Sequence, residues 1–201
     1  MSSFIDRIFG TKIEVDLANA RFQGALSFER SQLEKCLLNE YLKKDLLVHS
    51  SSFIQFLQTN LTREEDQLIP LSEELACLNE YIELYKAIRE DNFHIHYELP
   101  IEIAPLQIYP FMLFPIIQNA IQNGYNSMEN YPIKIRVRIT HAKVHMEVSN
   151  RVNHHIVNQG DNSFVEFYKQ RLILHYPEGH ELMINSNSNT FKATVTIHLN
   201  S

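Results

Sequence analysis

Residues 110–124 read PFMLFPIIQNAIQNG, and the parsing of the whole chain follows from this stretch. An apolar run opens at Pro110, carries hydrophobic side chains at helical spacing and closes on a polar turn at Gly124. That pattern predicts a buried helix. Asn119 interrupts the apolar face. A buried amide without a partner costs roughly 1–3 kcal/mol, so Asn119 calls for an internal hydrogen bond or for a ligand or metal beside the helix.

Upstream, Leu71, Leu75, Leu78, Ile82 and Tyr85 recur at steps of four and three after Ser72-Glu73-Glu74, which predicts a helix over 71–89. Residues 15–61 contain no proline and only Gly24 as a breaker. Leu26, Leu33, Leu37 and Tyr41 fall near one face there, and Leu46, Phe53, Ile54, Leu57 and Leu61 near another. Two long helices joined near residues 41–45 satisfy this pattern as an antiparallel hairpin. So short a hairpin has little core of its own, and pairing two of them as a four-helix bundle in a dimer supplies the missing burial.

Downstream the period changes from helical to alternating. Residues 93–97, 133–139 and 143–148 read as strands, 164–175 as a helix, and 181–185 with 191–199 as a closing hairpin across the polar tract 186–189. The fold class is α+β. A helical hairpin dimerisation domain over 1–67 precedes an α/β sandwich over 68–201, whose antiparallel or mixed sheet carries its helices on one face.

The 201 residues carry a net charge of −6, which gives no pull toward nucleic acid or anionic lipid. No run approaches the ~18–20 apolar residues of a membrane span, and the opening MSSFIDRIFG lacks the basic region and apolar core of a signal peptide. The expectation is a cytoplasmic protein with no membrane insertion. Phe4, Ile5, Ile8 and Phe9 read as a short docking turn. Cys36 and Cys77 lie far from any CxxC spacing and read as reduced core thiols.

Ten histidines raise the question of a metal. His94 and His96 share a strand face and His154-His155 sit in a loop, but none forms a helical i, i+4 pair with a carboxylate nearby. His49 is the one helical histidine of the hairpin and the candidate for phosphate relay. Lys134, Arg136 and Arg138 make a basic strand face, read as the solvated side of an edge strand, with docking of an acidic partner as the alternative.

Residues 110–124 resemble the N-box of LytS/YehU-type sensor histidine kinases, a branch of the GHKL ATPases, whose usual form is close to PPMLLQPLVENAIKHG. Pro110, Leu113, Pro115, Asn119, Ala120, Ile121 and Gly124 match. Further blocks follow in the family's order. Residues 69–75 with 79–84 resemble VPLSEELEFIENYIEL, with Arg89 matching the arginine that follows. Gln170-Arg171-Leu172, His175-Tyr176-Pro177 and Glu181-Leu182 resemble ERLELLYPGKHEL. The resemblance runs from about Asp16 to the C-terminus. It implies a GHKL/Bergerat-type fold, ATP with magnesium held in part by Asn119, a homodimer or a mixed dimer with an active kinase, and a response regulator as partner.

The same resemblance marks departures. Where the family carries its phosphoacceptor in N-P-H-F, this chain has Asn19-Ala20-Arg21-Phe22. A guanidinium is charged at neutral pH and is no nucleophile, so Arg21 cannot accept a phosphoryl group as imidazole does. The family's G-I-G-L loop, which brings backbone N–H groups close to phosphate, corresponds to Asn162, Ser163, Phe164 and Val165, with Gly160 the nearest glycine. The base-reading Asp falls at Asn150, the Glu beside the N-box Asn is Gln118, and the His of KHG is Asn123. The resemblance thus implies a degenerate member, a pseudokinase with no required cofactor, whose vestigial ATP pocket is Asn119, Asn123 and Asn150. The alternatives are an active kinase that autophosphorylates from ATP and magnesium, and a histidine phosphotransferase acting through His49.

Overall fold

The computed structural model describes residues 3–44, 50–100, 105–153 and 163–199, and the side chains of 17–44, 51–100, 105–153 and 164–199. Helix α1 spans Ser3–Gln32, α2 Lys35–Lys44 and α3 Ser50–Leu61. The short strand β1 (Ile69–Pro70) leads into α4 (Leu71–Arg89), a 3-10 turn (Glu90–Asn92), β2 (Ile95–Glu98) and β3 (Gln107–Ile108). Then come α5 (Phe114–Asn123), β4 (Gly124–Tyr125), β5 (Ile133–Thr140), β6 (Lys143–Val152), α6 (Ser163–His175), β7 (His180–Ser186) and β8 (Thr190–His198).

The main sheet runs β2-β5-β6-β8-β7, with β4 also paired to β6. It is mixed: β2 lies parallel to β5 and the other pairs are antiparallel. Strict alternation sorts its side chains. Ile133, Ile135, Val137, Val144, Met146, Val148, Ala193, Val195 and Ile197 are buried, while Lys134, Arg136 and Arg138 are exposed. One face therefore packs on helices and the other meets solvent. The helices and longer strands after the hairpin follow the order of the sequence reading; the two-residue strands β1, β3 and β4 are additional to it.

Three details differ from it. Helix α5 begins at Phe114 rather than Pro110, because residues 110–113 form a turn in which Phe111 takes a left-handed φ of 57°. The first hairpin helix is broken at Leu33–Glu34, where Glu34 accepts from the backbone N–H of Leu37 and so caps α2. Finally, β5 is an interior strand between β2 and β6, so its basic face is not an edge.

The hairpin itself is present: Tyr41 on α2 stacks on Phe53 on α3 with ring centroids 4.1 Å apart. Its turn lies outside the described residues, as do His49, His154, His155, Gly160, Asn162 and the side chains of Phe4, Ile5, Ile8 and Phe9. Helix α1 packs along α6, with Gly24 against Arg171 and Leu174. Among the described residues no helix is long and apolar enough to cross a membrane.

Candidate functional site

The core of the candidate site is the end of α5. Pro115 fits the first turn of that helix, where its missing N–H leaves no bond unmade. Asn119 is half-buried, and its Oδ1 accepts from Nδ2 of Asn123, one turn on, at 2.7 Å. The next residue, Gly124, ends the helix and pairs with Val152 of β6.

Asn150 meets this end from the sheet. It lies on the helix-facing side of β6 with Val144, Met146 and Val148, and is only 6% exposed. Its Nδ2 donates to the Arg151 carbonyl at 2.9 Å, and its Oδ1 is buried without a partner among the described residues. Gly124 is pressed against it. A Cβ there would lie 2.7 Å from Asn150 Nδ2 and 2.3 Å from the Ala120 carbonyl oxygen, too close for any side chain. Gly124 thus separates the Asn119–Asn123 pair on the helix from Asn150 on the sheet. All three amides already bond to protein.

Gln118 points the other way. It is 6% exposed, and Ser31 on α1 donates its hydroxyl to Gln118 Oε1 at 2.9 Å. Arg30 lies over the Phe167 ring of α6 at 4.7 Å, so the end of α1 rests on both α5 and α6. One turn beyond, Glu34 accepts from Gln122 Nε2 and from the Tyr85 hydroxyl. Burial is the largest influence on its carboxyl and pushes the pKa up, against the hydrogen bonds that lower it. Arg21 is exposed on α1. Ser163, Phe164 and Val165 are the first turn of α6 rather than a loop, and Phe164 is half-buried.

A buried charge cluster supports residues 110–113. Glu74 accepts from the backbone N–H groups of Phe111 at 2.9 Å and Leu113 at 3.1 Å, and Arg63 reaches it at 3.4 Å. Arg171, fully buried, donates to the carbonyls of Pro110 and Phe111. Burial lowers its pKa to about 10, which leaves it charged at neutral pH. These donors and acceptors pay for the left-handed Phe111 backbone.

The sequence reading did not single out Ser31, Glu34, Glu74 or Arg171 as structural anchors. For Glu74 a signal existed: it shares the helical face of Leu71, Leu75 and Leu78, so its carboxylate had to turn inward. For Ser31 and Glu34 there was none, since their partners lie far along the chain. Among the described residues no group of three His, Cys, Asp or Glu side chains could hold a metal ion.

No protein-family model matches the chain. The sensor histidine kinase BtsS of Escherichia coli K12 is 25% identical over 122 residues, which is 59% of this chain and 21% of BtsS. The sensor protein LytS of Bacillus subtilis is 27% identical over 95 residues, 47% of this chain and 16% of LytS. An uncharacterised sensor-like histidine kinase of Staphylococcus epidermidis is 30% identical over 94 residues, 47% of this chain and 18% of that protein. The chain thus spans about a fifth of the length of these relatives. Among solved structures, the catalytic domain of histidine kinase ThkA overlays with a TM-score of 0.44 at 17% identity, over 66% of this chain and 94% of that domain. Acinetobacter baumannii histidine kinase AdeS gives 0.47 at 12% identity, over 94% and 98%. In sequence, the chain resembles sensor histidine kinases of the LytS and BtsS kind.

Proposed function

We propose that this histidine-kinase-like signalling protein works in the cytoplasm by binding rather than by phosphoryl transfer. Its partner is an active kinase in a mixed dimer, or a LytTR-type response regulator. The observation that carries this reading is the engagement of the pocket amides by protein. Asn119 Oδ1, at the position that would hold magnesium, already accepts from Asn123. Phe164 occupies the helical first turn where a glycine loop would approach phosphate. Arg21 stands exposed where the family has its phosphoacceptor. The phosphate and metal end therefore fits a nucleotide poorly, and no catalytic step is derived from it.

One observation favours the active-kinase alternative. Asn150 Oδ1 is a buried acceptor without a partner among the described residues, suited to the amino group of an adenine base. Titration of the protein with magnesium and ATP, followed by a search for transfer of the labelled γ-phosphate to the chain, decides between the two. Our reading expects no metal-dependent binding at millimolar nucleotide and no label. Saturable, magnesium-dependent binding with labelled protein overturns it.

We further take residues 1–67 as a dimerisation module and 68–201 as the degenerate ATPase-like module. Phe22, Leu42, Ile54 and Leu61 are exposed apolar residues on α1, α2 and α3, a surface suited to a second hairpin. Sedimentation should find a dimer, with itself or with the partner kinase, and the double substitution Ile54→Glu, Leu61→Glu should disperse it. A wild type that is monomeric both alone and with the kinase would remove this part of the proposal.

A further inference from the structure

The open face of the sheet is charged unevenly. Cross-strand register places His96, Lys134, Ser149 and Lys192 side by side in one row across β2, β5, β6 and β8. The neighbouring row holds Glu98, Arg136 and Glu147. Glu98 is bound by Arg136 at 2.7 Å and Glu147 by Lys192 at 2.5 Å, so these carboxylates are already neutralised. Lys134, Arg138, Lys143 and Arg151 share this face, and none of them makes an ion pair among the described residues. Arg151 instead lies over the Tyr131 ring at 4.2 Å.

Two shallow clefts open on this face. One, of about 340 Å³, is lined by Asn130, Tyr131, Lys134, Ser149, Arg151 and Asn189 among others. The second, of about 320 Å³, is lined by His96, Glu98, Lys134, Arg136 and Ser149 among others. They share Lys134 and Ser149, so an ammonium without an ion pair and a hydroxyl border both clefts. The chain as a whole carries −6. The first cleft, with Lys134 and Arg151 and no carboxylate in its lining, is a cationic groove and a local departure from the general charge.

We propose that this groove docks a carboxylate-rich segment of a partner protein. Lys134 stands opposite Ser149 in the register, and Arg151, two residues on from Ser149, is its diagonal neighbour at roughly 7–8 Å. Acidic side chains one turn apart on a helix, or two apart on a strand, repeat at a similar spacing. The chain's overall charge of −6 opposes a nucleic-acid backbone, whose charge runs on beyond the cleft, more than it opposes a short acidic segment. The proposal concerns the solvent face of the sheet; the first cleft borders the amide pocket at Asn150, and the test below uses no nucleotide.

The test is fluorescence anisotropy of a labelled oligo-glutamate peptide with the whole chain, repeated with Lys134→Glu, Arg151→Glu, both exposed residues of the first cleft. A control pair, Lys35→Glu, Lys43→Glu, changes the net charge equally on exposed positions of α2. Binding should weaken by about tenfold or more in the groove variant, stay within about twofold in the control, and fall as salt rises. Circular dichroism should show both variants folded, because all four positions are exposed. No binding by the wild type, or equal losses in the two variants, overturns the proposal. So does equally tight binding of a single-stranded DNA of the same charge, which would mark the groove as a general polyanion trap. Loss of self-association in the groove variant without loss of peptide binding also overturns it, since the occupant would then be a second copy.

Discussion

Ser31 Oγ donates to Gln118 Oε1 at 2.9 Å, across 87 residues of chain, and fastens the end of α1 to the helix that carries Asn119. Among the described residues Gln118 Nε2 has no partner, so this is the one hydrogen bond its buried side chain makes there. Replacing Ser31 by Ala strands the whole amide and should cost about 1–3 kcal/mol in urea unfolding. Gln118→Leu removes the amide as well, and the Ser31 hydroxyl can turn to a carbonyl of its own helix, so that variant should lose less. Equal stability of Ser31→Ala and wild type would show that α1 does not dock this way.

Gly124→Ala tests the packing at the pocket floor. The new methyl meets a backbone oxygen at 2.3 Å and the Asn150 amide at 2.7 Å, while the φ of −82° is ordinary for alanine. The loss is therefore steric, about 1–3 kcal/mol or more by thermal denaturation. Adding Asn150→Ala should recover only part of it, since the Ala120 carbonyl remains in the way. An unchanged melting temperature would mean that β4 sits further from α5.

Glu74 and Arg171 should behave as parts of one unit. Glu74→Ala leaves Arg63 and Arg171 buried with less compensation and strands two N–H groups, for a loss on the order of 3–5 kcal/mol. Its exposed neighbour should respond differently, with Glu73→Ala changing stability by less than about 0.5 kcal/mol. Chemical denaturation monitored by circular dichroism compares the two. Similar small effects would mean that the cluster is hydrated rather than buried.

Glu34 predicts a pH dependence. Burial raises its pKa in the folded chain above the usual glutamate value, so the folded state keeps a proton that the unfolded state releases. Its contribution to stability is greatest below that usual value. The contribution declines as pH climbs toward the raised folded value and is flat beyond it. Glu34→Gln should remove this slope, seen as a smaller difference in urea midpoint between mildly acidic and neutral buffer. A steeper decline in the variant would reverse the sign of the argument.

The Asn150 and Gln118 positions show how unevenly the site could be read. Both were legible as departures from the kinase pattern. That Asn150 faces the core and abuts Gly124 did not follow from the sequence reading, whose strand ended at residue 148, whereas β6 runs on to Val152. That Gln118 is covered by Ser31 did not follow either, because nothing near either residue names the other. The turn at residues 110–113 was hidden for the same reason. Its left-handed Phe111 is held by Glu74 and Arg171, which no helical propensity of the segment itself records.

Periodicity alone settled the element types. The steps of three and four from Leu71 to Tyr85, and the alternation from Ile133 to Ile139, are local and decide which side of each element must leave water. The sheet's buried and open faces were implicit in that alternation. Tertiary packing decided which helix covers which, where α1 breaks, and which polar groups are used up internally. Those outcomes depend on hydrogen bonds and buried charges between residues tens of positions apart, whose partners are chosen only when the chain closes on itself.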